Sequence, residues 1–326
     1  MSFNDIFGHE KQVNVLQKTL SQKRVGHAYL FSGIPSIGKK ALAVEFARAY
    51  NCEKADAVQD SCGTCLSCRK IQQNKHPDFF VVKPEGQFIR INAIREIQNQ
   101  MTFKPLEALC RVFIFDDADK MNEEAANALL KTLEEPSFAN LIILITSRPY
   151  ALAATVLSRC LHMRFNPLRQ DIVAKLLTEK MGMEPQKALL LAGLSGGSIG
   201  RALDLDDEEI ISFRQETFDL LAATGKSEPF SLIKFASFLH QDKKKISLAL
   251  DIIISYFRDA LVYKETKKPG ILINQDKLSF IDSVAQRLSG EQILYNIDLV
   301  ARAGRYIERN SNKLLTLETM VFKLSY

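Results

Sequence analysis

Residues 27–50 read HAYLFSGIPSIGKKALAVEFARAY, and this stretch decides the fold. An apolar run leads directly into a loop from Gly33 to Lys40, and a helical pattern follows the loop. A GxxxxGK loop between a strand and a helix holds phosphate through backbone N–H groups and its lysine. The sequence predicts such a loop, in which Gly38 lets the backbone turn and Lys39 neutralises phosphate. An ordinary strand-to-helix turn is the alternative.

Two positions in this loop depart from the usual pattern. The residue after the lysine is normally Ser or Thr, whose hydroxyl ligates magnesium, whereas Lys40 carries an ammonium that would repel the ion. Ser36 stands where many such loops have glycine, and a left-handed backbone there would cost about 1 kcal/mol or more. We therefore expect a degenerate nucleotide site that keeps its shape, and the binding of ATP or ADP there is left open.

Polar residues follow two other apolar runs of this region. The run at 111–115 is followed by Asp116 and Asp117. In a triphosphate site the first carboxylate holds a hydrated magnesium ion and the second acts on the attacking water, where Glu is usual. The structural alternative is that both acids cap a helix beginning near Asn122. Thr146 follows the run LIILI and would face a γ-phosphate from the neighbouring strand, which alone is a weak signal.

Apolar runs and helical patterns alternate up to about residue 165, which is typical of βαβ units and a parallel sheet. The candidate strands are 28–33, 78–82, 111–116, 141–147 and 161–165. Beyond Pro167 only helical patterns follow, and the last six lie near 208–223, 228–240, 243–264, 273–288, 290–309 and 313–325. The prediction is an α/β domain at 1–167, a helical lid at 168–207 and an all-α domain at 208–326.

Composition limits the class of protein. The chain has 326 residues, of which 46% are apolar and 25% charged, and these values exclude a fibrous or largely disordered chain. The net charge of +5 permits contact with nucleic acid but does not establish it. No apolar run approaches the roughly 18 residues of a membrane span, and the first residues lack a secretory pattern. We expect a cytoplasmic protein without a membrane partner.

Four of the six cysteines lie close together in the sequence. Cys52, Cys62, Cys65 and Cys68 have the spacing C-x9-C-x2-C-x2-C. Four thiolates in a reducing compartment favour structural zinc in a module at about 50–76. An iron–sulfur cluster and free thiols are the alternatives. His76 would be a substitute for the first cysteine, although we expect it at the surface.

Two arginines are candidates for contact with nucleotide phosphate. Arg159 lies in the triplet Ser158-Arg159-Cys160 after the fourth strand, where its guanidinium would reach a γ-phosphate in another subunit. A surface salt bridge explains the same residue equally well. Arg201 opens a helix of the lid and would fold back on the nucleotide of its own subunit.

Several segments together resemble one family. They are HAYLFSG, FDDADKMNEEAANALLKTLEEP at 115–136, the Ser158-Arg159-Cys160 triplet and the four-cysteine insertion. These segments resemble the delta-prime subunits of bacterial DNA polymerase III, which belong to the clamp-loader group of AAA+ proteins. The resemblance covers residues 1 to about 205, and NKLLTLETMVFKL at 312–324 is similar to the last helix of that family.

The resemblance implies a function in DNA replication. In that family, delta-prime joins the motor (gamma/tau) and delta subunits in a hetero-pentamer that loads a sliding clamp onto primed DNA and contacts the DNA backbone. The resemblance implies a stator with a helical collar, in which Arg159 is an arginine finger offered in trans. It implies a component of the polymerase holoenzyme, a nucleotidyltransferase complex, that does not hydrolyse ATP alone. The alternative is an ATP-hydrolysing motor subunit or a related AAA+ ATPase.

Overall fold

A computed structural model describes residues 2–54, 60–135, 139–224, 229–241 and 245–325. Five strands form one parallel sheet, in the order β2-β3-β4-β1-β5. The strands are β1 Ala28–Ser32, β2 Phe79–Val82, β3 Arg111–Phe115, β4 Asn140–Thr146 and β5 Leu161–Arg164. Strands β1 and β3 are wholly buried, and so is nearly all of β4, which is why their sequences are continuous apolar runs. All five predicted strands are confirmed.

Within the described residues, six α-helices accompany the sheet. They are α1 Glu10–Ser21, α2 Lys39–Tyr50, α3 Leu66–Gln72, α4 Ile91–Met101, α5 Glu123–Glu134 and α6 Ala154–Leu157. Helices α4 and α5 pack on strands β3 and β4 in a core that includes Ile94, Leu129 and Phe113. Helix α3 lies inside the cysteine module and was not predicted.

The rest of the described chain is helical, as predicted. These helices are α7 Gln170–Met181, α8 Pro185–Leu194, α9 Ile199–Asp204, α10 Glu208–Thr224, α11 Pro229–Gln241, α12 Ile246–Thr266, α13 Leu278–Arg287, α14 Gly290–Glu308 and α15 Lys313–Lys323. The helix predicted from residue 273 begins only at Leu278. Asn274 explains the difference, since its backbone N–H and side-chain amide both donate to the carboxylate of Asp259, at 2.7 and 2.9 Å.

The chain divides into two compact units. One comprises Met1–Ile172 with Gly197–Arg201, and the other comprises Val173–Gly196 with Ala202–Tyr326. The three-domain division at 167 and 207 stays a prediction. Among the described residues, no helix combines the length and the apolar character that crossing a membrane requires.

A buried ion pair fixes the loop before β3 in the first unit. Asp78 and Arg111 are 0% and 2% exposed, and their side chains lie 2.9 Å apart. The carboxylate also accepts the backbone N–H groups of Leu106, Glu107 and Ala108, at 2.7 to 3.0 Å. Burial alone would raise the pKa of Asp78, but these donors and the guanidinium lower it below its ordinary value.

The second unit has a comparable polar cluster. Buried Arg214 on α10 contacts Asp276 at 2.8 Å and the side-chain oxygen of Asn274 at 2.9 Å. Burial opposes ionisation of Asp276, but the guanidinium of Arg214 holds its pKa below the usual value. The cluster connects α10 to the segment between α12 and α13.

Candidate functional site

The loop after β1 has the shape that its glycines predict. A Cβ at Gly33 would lie 2.5 Å from the carbonyl oxygen of Phe165, so only glycine permits this close approach. Gly38 has φ +105° and stands immediately before α2. Ser36 has φ +55°, which confirms a left-handed backbone at a non-glycine residue. The loop therefore keeps its turn at the expected cost at Ser36.

Lys39 is bound to the loop itself. Its ammonium donates to the carbonyl oxygens of Gly33 and Ile34, both at 2.6 Å, and the residue is 6% exposed. Burial lowers its pKa. A phosphate at this loop would have to compete with these two carbonyl groups for the ammonium.

Lys40 forms the contact that distinguishes this site. Its ammonium lies 2.9 Å from the carboxylate of Asp116 at the end of β3, and both side chains are partly exposed. In a metal-binding loop of this kind, the hydroxyl after the lysine and this aspartate face a shared magnesium ion. Here a side-chain cation bridges the two positions, so Asp116 is neutralised without a metal.

The neighbouring polar residues are also paired within the chain. The carboxylate of Asp117 lies 2.8 Å from the ammonium of Lys120. The alternative that these acids cap α5 is wrong, since the side-chain oxygen of Asn122 accepts the N–H of Ala125 at 3.0 Å. Buried Thr146 donates its hydroxyl to Asp119 at 2.6 Å.

Sequence reasoning missed His9, and in the segment 197–201 it named Arg201 but not the residues that contact the loop. Buried His9 donates from Nε2 to the carbonyl oxygen of Ile37 at 2.9 Å, and burial lowers its pKa. The segment 197–201 contacts the loop through the hydroxyl of Ser198, which donates to the carbonyl oxygen of Pro35 at 2.9 Å. The N–H of Gly200 donates to the carbonyl oxygen of Ser36 at 3.1 Å. The backbone of Arg201 follows directly, bound to the Ser198 hydroxyl at 3.3 Å.

Arg159 follows α6 and contacts its own chain. Its Nη2 lies 2.6 Å from the carboxylate of Glu134 at the end of α5. Its Nη1 donates to the carbonyl oxygen of Thr155 at 2.9 Å and to the hydroxyl of Ser158 at 3.3 Å. The side chain is 34% exposed. The surface salt bridge weighed as an alternative is present, and a role in trans stays a prediction.

The four clustered cysteines come together in space. The sulfur atoms of Cys52, Cys62, Cys65 and Cys68 all lie within 4.8 Å of one another. A tetrahedral zinc ion with Zn–S bonds of about 2.3 Å separates its sulfur ligands by roughly 3.8 Å, so the four thiols fit this metal. The set has four ligands and leaves no position open for substrate, as in a structural site.

Backbone N–H groups favour the thiolate at Cys62, whereas burial raises the pKa of Cys52 and of Cys68. The N–H groups of Cys62, Cys65 and Cys68 point at the sulfur atoms of Cys52, Cys62 and Cys65, at 3.3 to 3.4 Å. The N–H of Cys65 is the main reason that the pKa of Cys62 falls to about 5. His76 is buried, so its expected surface position is wrong, and it does not belong to the cluster. Residues 55–59 of the predicted module lie outside the described residues.

Comparison with known proteins places the chain in a family. Residues 8–169 match the family described as DNA polymerase III, delta subunit, and residues 209–325 match its C-terminal counterpart. The chain belongs to the clamp-loader subunits of DNA polymerase III. The resemblance predicted from the sequence is thereby confirmed for both parts of the chain.

Two relatives of this clamp-loader subunit are named delta' and tau. This chain is 29% identical over 321 residues to the delta' subunit of Bacillus subtilis, covering 96% of this chain and 94% of that protein. It is 31% identical over 351 residues to the tau subunit of the same bacterium, covering 99% of this chain but only 61% of tau. A solved gamma subunit-related protein of Thermotoga maritima has 18% identity and a TM-score of 0.39, over 95% of this chain and 97% of that one.

Proposed function

We propose that this chain is the stator of the DNA polymerase III clamp loader. The observation that supports the proposal is the contact between Lys40 and Asp116 at 2.9 Å. A tethered ammonium occupies the position where a hydrolysing subunit needs a magnesium ligand, and a cation does not ligate a cation. The subunit therefore does not hydrolyse ATP alone, and a nucleotide at its loop, if bound, stays intact.

The catalytic contribution of the proposed stator is made in trans. Arg159 offers its guanidinium to the γ-phosphate in the ATP site of a neighbouring motor subunit, where it stabilises the charge of the transition state. The partners are the gamma/tau and delta subunits, the sliding clamp and the backbone of primed DNA. The division into a domain at 1–167, a lid at 168–207 and a collar at 208–326 belongs to the same proposal, and zinc stabilises the cysteine module.

The competing function is that of an ATP-hydrolysing motor subunit. The 31% identity to tau over 99% of this chain favours it. The Lys40 ammonium argues against it, because the motor function requires the magnesium that this group replaces.

A reconstituted loader tests the proposal. The other ATP sites are inactivated, and turnover is measured at the site next to this subunit. Arg159→Ala is expected to lower turnover there by roughly 10³-fold or more. Arg169→Ala, which removes an exposed arginine paired with Asp171, serves as the control and leaves turnover unchanged.

Two outcomes would contradict the proposal. Steady magnesium-dependent ATP hydrolysis by the isolated chain would identify a motor. Unchanged turnover with Arg159→Ala would leave the subunit with an architectural role only.

A further inference from the structure

The guanidinium of Arg159 is held by contacts on two sides. Glu134 of α5 contacts Nη2 at 2.6 Å, whereas Nη1 binds the carbonyl oxygen of Thr155 and the hydroxyl of Ser158. The two Nη1 contacts come from the turn that carries Arg159. Among the described residues, Glu134 is the contact that comes from another helix and the one that carries a charge.

The pair is accessible enough to exchange partners. The side chains of Arg159 and Glu134 are 34% and 49% exposed, and ion pairs in such positions are weak and screened by salt. A polyphosphate carries more charge than one carboxylate and accepts the same fork of N–H donors. A phosphate approaching Arg159 would therefore meet a guanidinium already bound to an anion that it can displace.

The position of Glu134 is not explained by the stability of its own helix. It is the last residue of α5, where the helix dipole disfavours a negative side chain. Replacing it with glutamine should therefore leave the helix intact. Glu135 is the adjacent exposed acid, and within the described chain it forms no ion pair, so it provides a matched control.

We propose that Glu134 is a competitor in cis for the arginine that this subunit presents to its neighbour. In the free subunit the carboxylate holds the guanidinium in one position and neutralises it. When the neighbouring ATP site closes on Arg159, its phosphate displaces Glu134. The inference rests on the proposed role of Arg159 in trans. Glu134 would be a positioning residue for Arg159 that lowers kcat/KM at the neighbouring ATP site.

The first test uses the reconstituted loader and measures kcat/KM for MgATP at the neighbouring site. Glu134→Gln is expected to raise this value about two- to fivefold, the range that an exposed ion pair supplies. Glu135→Gln makes the same change in net charge and is expected to leave the value unchanged. The gain should shrink as salt rises from about 50 to 500 mM, since screening weakens the pair that the substitution removes.

The second test uses the isolated chain and does not depend on ATP turnover. NMR of the Arg159 side chain follows the exchange of its guanidinium protons with water. Glu134→Gln is expected to speed this exchange, whereas Glu135→Gln leaves it as in the wild type.

The outcomes separate the two proposals. A fall in kcat/KM with Glu134→Gln, or a value equal to that of Glu135→Gln, overturns the competitor role, and so does unchanged proton exchange. In these cases the function in trans still stands if Arg159→Ala lowers turnover by roughly 10³-fold or more, as expected. If Arg159→Ala has no effect on turnover, the function in trans fails, and the competitor role fails with it.

Discussion

At the scale of residues, Lys40 sets the chemistry of the loop. Its ammonium is 2.9 Å from Asp116, and the same carboxylate would otherwise face a metal ion. A lysine in this position provides the positive charge of a cation without its empty coordination sites. In the proposed stator, this ammonium takes the place of the magnesium ion that hydrolysis uses.

Lys40→Thr should give the loop a dependence on magnesium. The hydroxyl restores a ligand and frees Asp116, so ATP affinity should rise at least about tenfold with magnesium, equal to about 1.4 kcal/mol. Titration with fluorescent ATP, with magnesium or with a chelator, measures this change. Lys40→Met removes the charge without adding a ligand and should show no such dependence. A wild-type chain that already binds ATP more tightly with magnesium would contradict this account.

Some residues of the site could be predicted from the sequence and others could not. The left-handed backbone at Ser36 follows from the loop pattern alone, because every residue of the motif is local. His9 was missed because its contact is with Ile37, 28 residues away, and no local pattern signals that bond. The same limit applies to the pair of Glu134, at the end of α5, and Arg159, in the turn after α6.

At the scale of elements, the cysteine module contains a helix that no repeating apolar pattern in the sequence predicts. Helix α3 has only seven residues, and the sulfur of Cys65 accepts the N–H of Cys68 at its start. Its sequence has too few turns for an amphipathic period, so periodicity could not reveal it. The strands were found within one residue. For β1, β3 and β4 the reason is that they are buried on both faces, which requires continuous apolar runs, whereas β5 is mostly exposed.

Cys65→Ser should disturb this module without unfolding the sheet. The substitution removes one ligand and the sulfur that begins α3, so bound zinc should fall below about half an equivalent. Metal analysis measures the loss, and hydrogen exchange should accelerate at 62–72 but not in β1 or β3. Cys160→Ser, outside the cluster, should retain the metal. Unfolding of the whole chain, or stoichiometric iron in the wild type, would contradict the zinc assignment.

At the scale of the whole molecule, each compact unit has its own buried arginine bound to an aspartate. Asp78 forms an ion pair with Arg111 in the first unit, and Asp276 forms one with Arg214 in the second. Both aspartates have a pKa below the ordinary value in the folded chain. A carboxyl group whose pKa is lowered in the folded chain stabilises the fold at pH values above its pKa in the unfolded chain, about 4. This stabilisation disappears as the pH falls through the pKa of the folded chain.

Acid should therefore weaken both units in the same range, below about pH 4. Asp78→Asn should lower the free energy of unfolding at pH 7 by about 3 to 5 kcal/mol, because Arg111 is left buried without its anion. It should also reduce the acid dependence of the first unit only. Urea titrations at pH 7 and pH 3, followed by hydrogen exchange of each unit, measure both effects. Asp171→Asn, at an exposed acid, is the control, and an unchanged stability of Asp78→Asn at pH 7 would refute the argument.

The tethered ammonium of Lys40 has one more consequence. A diffusible ion has a dissociation constant, and its occupancy follows the supply of that ion in the cell. A side chain has a fixed occupancy, so the charge beside Asp116 does not vary with magnesium or with the ratio of ATP to ADP. Within the proposed assembly, this subunit would therefore keep one conformation at its loop while its neighbours change shape with the cell's supply of ATP.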